Sequence, residues 1–219
     1  MWHSQDDQIH PQNNLATLNI LSLDSSSPVA SVAFVSSDGI DRHVTFSSDT
    51  PHQRISSSAL FEGLQAAVTS CGFPDAVCVG LGPGSYNGLR AGIAAARAFA
   101  TARRIPLLSL PSPLALPGPD SGFWALGDAR GENYWVACVQ SGAFLEEPRL
   151  LSPAETVAHL QTRPGLSVLA SAPLSGIEIF QQATPDAVRL AILSIKSDPI
   201  TGTPEPLYLK PPHITSPRS

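Results

Sequence analysis

The chain has 219 residues, 42% of them hydrophobic, enough for a buried core and too many for global disorder. Its 13 basic and 18 acidic residues leave a formal charge of −5, which excludes a chain that grips phosphate backbones by itself, since that needs clustered Lys and Arg. Three cysteines with no CxxC pair, and no apolar run near the ~20 residues of a membrane span, argue against a disulfide framework, a zinc site and a membrane protein. The N-terminus shows no basic region followed by an apolar core, so a reducing, cytoplasmic setting is expected.

Residues 1–17 are polar and aperiodic and read as a disordered tail. Leu18 to Asp24 is an apolar strand ending in a carboxylate, and Ser25, Ser26, Ser27 and Pro28 turn the chain into a second strand, Val29 to Val35. Asp38-Gly39 is a hairpin signal, leading to a third strand from about Ile40 to Phe46. His52 to Cys71 reads as a helix with Ala59, Leu60, Leu64, Ala67, Val68 and Cys71 on one stripe, ended by Gly72. Val77 to Leu110 then forms a βαβ crossover: a short apolar strand, the turn Gly82-Pro83-Gly84-Ser85 up to Gly88, an alanine-rich helix to Arg104, and a strand at Leu107 to Leu110. The order is β-β-β-α-β-α-β over residues 18–110, whereas a dinucleotide-binding domain begins βαβ at once.

From residue 111 to 219 the chain reads as a second, smaller lobe broken by prolines. Phe123 to Gly127 and Tyr134 to Val139 flank the turn D-A-R-G-E-N, and Ser152-Pro153 opens a helix to Gln161. Ser167 to Ala170 is a strand, Asp186 to Ile195 a helix, and P-L-Y-L-K-P-P an extended tail.

The glycine turn invites a phosphate-cradle reading, and the residues oppose it. A P-loop needs Lys after its last glycine, and none lies near Gly88. A dinucleotide fingerprint needs its third glycine one position before Gly88, with an acid about 20 residues on, yet Asp75 is the only acid between Glu62 and Asp120. Ser85 lacks the glycines of a nucleophile elbow, because Pro83 and Asn87 occupy those places; its expected role is the helix N-cap. No two histidines are spaced i, i+4, so no helical metal pair is expected.

Asp24 with Ser25 and Ser26 resembles the first phosphate loop of sugar-kinase and actin-like ATPases. Taken with G-P-G-S-Y-N-G-L-R-A-G-I (Gly82 to Ile93), G-D-A-R (Gly127 to Arg130) and P-L-Y-L-K (Pro206 to Lys210), it makes the chain resemble the TsaB (YeaZ) family, strongly up to Leu110 and loosely beyond. Tyr86 and Asn87 stand where that family usually has Phe and Thr.

The resemblance implies an α/β, two-lobed sugar kinase/actin-like (ASKHA) fold, each lobe a mixed sheet with flanking helices. It implies a non-catalytic subunit that pairs with the catalytic relative TsaD, is joined by the ATPase TsaE, and meets tRNA only indirectly. That complex transfers threonylcarbamoyl to N6 of the adenosine beside the anticodon. ATP or ADP then acts at the level of the complex, with no intrinsic cofactor, metal or catalytic residue in this chain. The family pairs through its two N-lobe helices, which points to His52, Ser56, Ala59, Gly63, Ala91, Ala95 and Ala98 as partner-binding. Gly82, Pro83, Gly84, Ser85, Gly88 and Arg90 are then a structural turn, and Asp24, Ser25 and Ser26 a vestigial nucleotide loop. The alanine-rich helix supports this independently: Leu89, Ile93 and Phe99 suit the sheet, and the small residues elsewhere let another helix approach. In isolation the same face suits a homodimer. The alternatives are a glycoprotease-like hydrolase using Ser85 or a metal, and an active small-molecule kinase of the same superfamily.

Overall fold

The computed structural model describes residues 18–36, 39–47, 57–129, 133–179, 181–197 and 199–209. The expected tail of residues 1–17, Asp38, His52, Ser56, Arg130 and Lys210 lie outside them.

The first seven elements are β1 (Ile20–Asp24), β2 (Val29–Ser36), β3 (Gly39–Ser47), α1 (Ser57–Cys71), β4 (Ala76–Gly80), α2 (Tyr86–Arg103) and β5 (Leu107–Leu110). Their order is the expected β-β-β-α-β-α-β. β1 pairs antiparallel with β2 and parallel with β4, while β3 extends β2 and β5 extends β4. Side-chain alternation along the strands gives this sheet two faces. Leu21, Leu23, Val32, Phe34, Val77 and Val79 meet α1 and α2 on one face. Ile20, Ala33, Val35, Ala76, Cys78 and Leu110 occupy the other.

A 3-10 turn at Ser112–Ala115 leads to the second sheet: β6 (Phe123–Asp128), β7 (Tyr134–Gln140), β8 (Ala143–Leu151), β9 (Ser167–Ala170) and β10 (Gln181–Gln182), in the order β10-β9-β6-β7-β8. Between β8 and β9 lies α3 (Pro153–Leu160), opened by a capping box in which Ser152 Oγ accepts from Glu155 N and the Glu155 carboxylate accepts from Ser152 N.

Residues 111–219 do not all stay with the second sheet. α4 (Ala187–Lys196) covers the open face of the first sheet through Ala187, Leu190 and Ala191, and β11 (Ile200–Thr201) pairs antiparallel with β5. The strand serines Ser22 and Ser31 tie the start of α4 to that sheet. Ser22 Oγ donates to Ala187 O at 2.6 Å, and Ser31 Oγ accepts from Ala187 N at 2.9 Å. Asp186 caps the helix by accepting from Val188 N at 2.7 Å. Leu193 packs against both sheets' cores, so α4 joins the lobes. Burial under α4 pushes the Cys78 thiol up to about 12, leaving it protonated at neutral pH. Among the described residues no helix is long and apolar enough to cross a membrane.

Glu146 of β8 fastens α3 to the second sheet. Its carboxylate accepts from His159 Nε2 at 2.8 Å and from Arg163 Nε at 3.2 Å. Partial burial pushes this carboxyl up, but the bonds from Arg163 and His159 outweigh it and hold it below the usual 4.5. A depressed carboxyl stabilises the fold above its unfolded value and loses that contribution as pH falls through the folded one. Glu146→Gln should therefore cost up to about 1 kcal/mol at neutral pH and flatten the acid limb of stability, as read by thermal melts from neutral pH downward.

Candidate functional site: a glycine-seated helix and its open face

The glycine turn is filled by the protein itself. The β1–β2 loop packs into it: Ser85 N donates to Ser26 O at 2.7 Å, and Ser25 Oγ donates to Gly88 O at 2.8 Å. A Cβ on Gly84 would overlap the Ser26 carbonyl, and one on Gly88 the Ser25 carbonyl. These glycines are required by close backbone approach. Pro83 is buried between them.

Asp24 holds the same junction from below. Fully buried, its Oδ1 accepts from Ser26 N at 2.9 Å and Ser26 Oγ at 2.6 Å, and its Oδ2 from Ser112 Oγ at 2.5 Å. Ser112 Oγ in turn accepts from Gly82 N at 2.9 Å. Asp24, Ser25 and Ser26, expected as a vestigial nucleotide loop, thus bond to the 3-10 turn and the glycine turn. A phosphate would have to displace them.

Burial pushes the Asp24 carboxyl above its usual 3.8, against the opposing pull of its bonds from Ser112 and Ser26. A carboxyl with a raised folded-state value binds its proton more tightly folded than unfolded. Its contribution is complete below 3.8 and is lost as pH rises through the folded value. Asp24→Asn should therefore gain stability relative to the parent as pH rises toward neutral. Paired thermal melts across that range check this, and a difference that stays flat contradicts it.

Ser85 is the N-cap of α2, its Oγ accepting from Gly88 N at 3.3 Å. From this seat α2 buries Leu89, Gly92, Ile93, Ala96 and Ala100, with Phe99 half-buried against the same core. Of the partner-binding residues expected from the sequence, Ala98 is exposed, Ala59 and Ala91 are half-buried, and Ala95 packs against the core. Gly63 is buried in α1, so it offers no surface to a partner. The open face of α2 is instead Arg90, Ala94, Arg97, Ala98, Thr101 and Ala102.

That face forms one wall of a groove of about 660 Å³, and Pro206 and Tyr208 form the other. Leu207 N donates to Leu81 O at 2.8 Å and pins this segment in place. Tyr208 stacks on Tyr86 with ring centroids 5.4 Å apart, and Arg90 lies over Tyr86 at 5.3 Å while donating to its hydroxyl at 2.7 Å. At the far end of α2, Arg103 lies 4.0 Å over Phe73. Phe61 of α1 is 50% exposed and Phe73 62%. Sequence reasoning missed Ala94, Arg97, Pro206 and Tyr208. The i, i+7 spacing of Arg90 and Arg97 was the available signal for which face looks outward. Among the described residues no three His, Cys, Asp or Glu side chains gather as a metal set.

Residues 47–116 match the family model described as TsaD, tRNA N6-adenosine threonylcarbamoyltransferase. The uncharacterized protein Rv3421c of Mycobacterium tuberculosis is 31% identical over 160 residues, which cover 70% of this chain and 72% of that protein. Protein Mb3455c of Mycobacterium bovis matches to the same extent. Among solved structures, YeaZ from Pseudomonas aeruginosa aligns with a TM-score of 0.69 at 19% identity, over 88% of this chain and 100% of that one. A second Pseudomonas aeruginosa structure, of an uncharacterized protein with similarity to peptidase YEAZ, gives 0.68 at 20% identity over 89% and 100%. The two mixed sheets with flanking helices expected from the sequence are present, and the fold is that of the YeaZ structures. The chain belongs to the family of these mycobacterial proteins, and it shares the fold of the YeaZ structures.

Proposed function

We propose that this chain is a non-catalytic partner subunit in tRNA modification, which binds a TsaD-family catalytic protein and supports threonylcarbamoyl transfer to N6 of adenosine beside the anticodon. The observation that carries this reading is the open face of α2. Ala94, Ala98 and Ala102 project little from the helix, so a second helix could approach to the ~8 Å limit of interaxial packing. Exposed Phe73, Tyr86 and Tyr208 flank it and α1 exposes Phe61, the composition of a surface that another protein covers. With α1 alongside, such a face suits an interface of about 800 Å² per partner.

The family model that matches residues 47–116 spans α2 as well as α1. A TsaD-family protein with a similar helix pair would meet this one in pseudo-symmetric, like-on-like fashion. In this reading TsaE joins the assembled pair, nucleotide and tRNA act at the level of the complex, and the work is cytoplasmic. The test is to mix the chain with the TsaD-family protein of the same organism and follow elution by size-exclusion chromatography. A one-to-one complex at micromolar concentration is expected; two unshifted peaks would overturn the proposal.

A further inference from the structure

We infer that the α2 face selects a partner helix bearing carboxylates about two turns apart, and disfavours a second copy of this chain. The inference rests on the docking role of α2 and adds the chemistry of what docks there.

The face carries charge of one sign. From Tyr86 to Arg104 the chain has Arg90, Arg97, Arg103 and Arg104 and no acid, in a protein whose formal charge is −5. Arg90 and Arg97 both line the groove, with Ala94 and Ala98 beside and between them. Seven residues apart, they sit about 10 Å from each other along the helix. Among the described residues neither makes an ion pair. The exposed acids Glu62 on α1 and Glu205 beside the groove pair with neither.

One of the two arginines is also held in place. Arg90 is fixed over Tyr86, which stacks on Tyr208, so its guanidinium stands at the groove's end before any partner arrives. A carboxylate at each end of a small-residue crossing would meet one guanidinium apiece, a charge-assisted pairing. An isologous pair of copies would set Arg90 and Arg97 of one against the same residues of the other. Like charges across an interface suppress the wrong partner, here the chain itself.

The experiment measures binding to the same organism's TsaD-family protein at about 0.1 M and about 1 M salt, between which the Debye length falls from about 10 Å to about 3 Å. The proteins are the parent chain, the double variant Arg90→Gln/Arg97→Gln, and Ala98→Trp, each checked by thermal melting. The parent should bind at least tenfold more weakly in the higher salt. The glutamine variant should bind at least tenfold more weakly in the lower salt and show little salt dependence, and Ala98→Trp should not bind in either. If Ala98→Trp abolishes binding while the glutamine variant matches the parent, the docking face stands and its acidic partner does not. If neither variant alters binding, both ideas fall. Sedimentation of the isolated chains adds a second arm, in which the glutamine variant should self-associate more readily than the parent. A parent that dimerises as tightly as the glutamine variant contradicts the inference.

Discussion

Replacing Gly88 with alanine should lower stability by about 2 kcal/mol or more, although the position is helical and alanine normally gains about 1 kcal/mol over glycine in a helix. The new methyl would overlap the Ser25 carbonyl oxygen, which belongs to the backbone of the β1–β2 loop. That loop is pinned by Ser85 N on Ser26 O and by Asp24 on Ser26, so it has little room to retreat. For a chain of this size the melting temperature should fall by about 4–8 °C. Gly92→Ala is the informative contrast. There the nearest obstacle is the Ser25 hydroxyl, the end of a side chain, with Leu23 Cδ1 next at 3.3 Å. Adding Ser25→Ala should rescue Gly92→Ala, yet leave Gly88→Ala unrescued. A Gly88→Ala protein that melts at or above the parent would mean that the loop does not fill the glycine turn.

Much of this was legible in the residues. The apolar strands β1 and β2, the glycine after Cys71 and the Ser152-Pro153 helix start all appear as expected. Gly72 adopts a φ of 93° and donates to Val68 O, the left-handed stop its position suggested. β8 was missed because A-F-L-E-E-P-R-L-L carries three charges and Pro148. An edge strand tolerates both, since one side of its ladder is unpaired. The return of α4 to the first sheet was invisible for a different reason. Periodicity shows which residues of a helix share a face but not which sheet that face covers. The same limit hid the burial of Gly63 in α1. In an alanine-rich helix every face is small, so composition alone did not say which alanines look outward. The Asp24–Ser26 loop resembled a nucleotide loop because the same acid and hydroxyls serve equally to bind each other and the glycine turn.

Ala98→Trp should abolish docking without disturbing the fold. Ala98 is exposed on α2, so the substitution should leave stability within about 0.5 kcal/mol of the parent. At a helix crossing made of small residues, an indole would hold the partner's backbone away across the whole contact. Affinity should fall more than about 100-fold, a loss of about 3 kcal/mol. Ala95→Trp makes a useful foil, because Ala95 lies against the core and its replacement should cost stability as well as binding.

The proposed role of this chain is docking rather than catalysis. Its most direct test is threonylcarbamoyl incorporation into tRNA by the TsaD-family protein of the same organism, supplied with TsaE, ATP and the threonylcarbamoyl adenylate. The parent chain should restore incorporation, Ala98→Trp should leave it at the level seen with no chain added, and the chain alone should transfer nothing. Full activity with Ala98→Trp, or transfer by the isolated chain, would contradict the account.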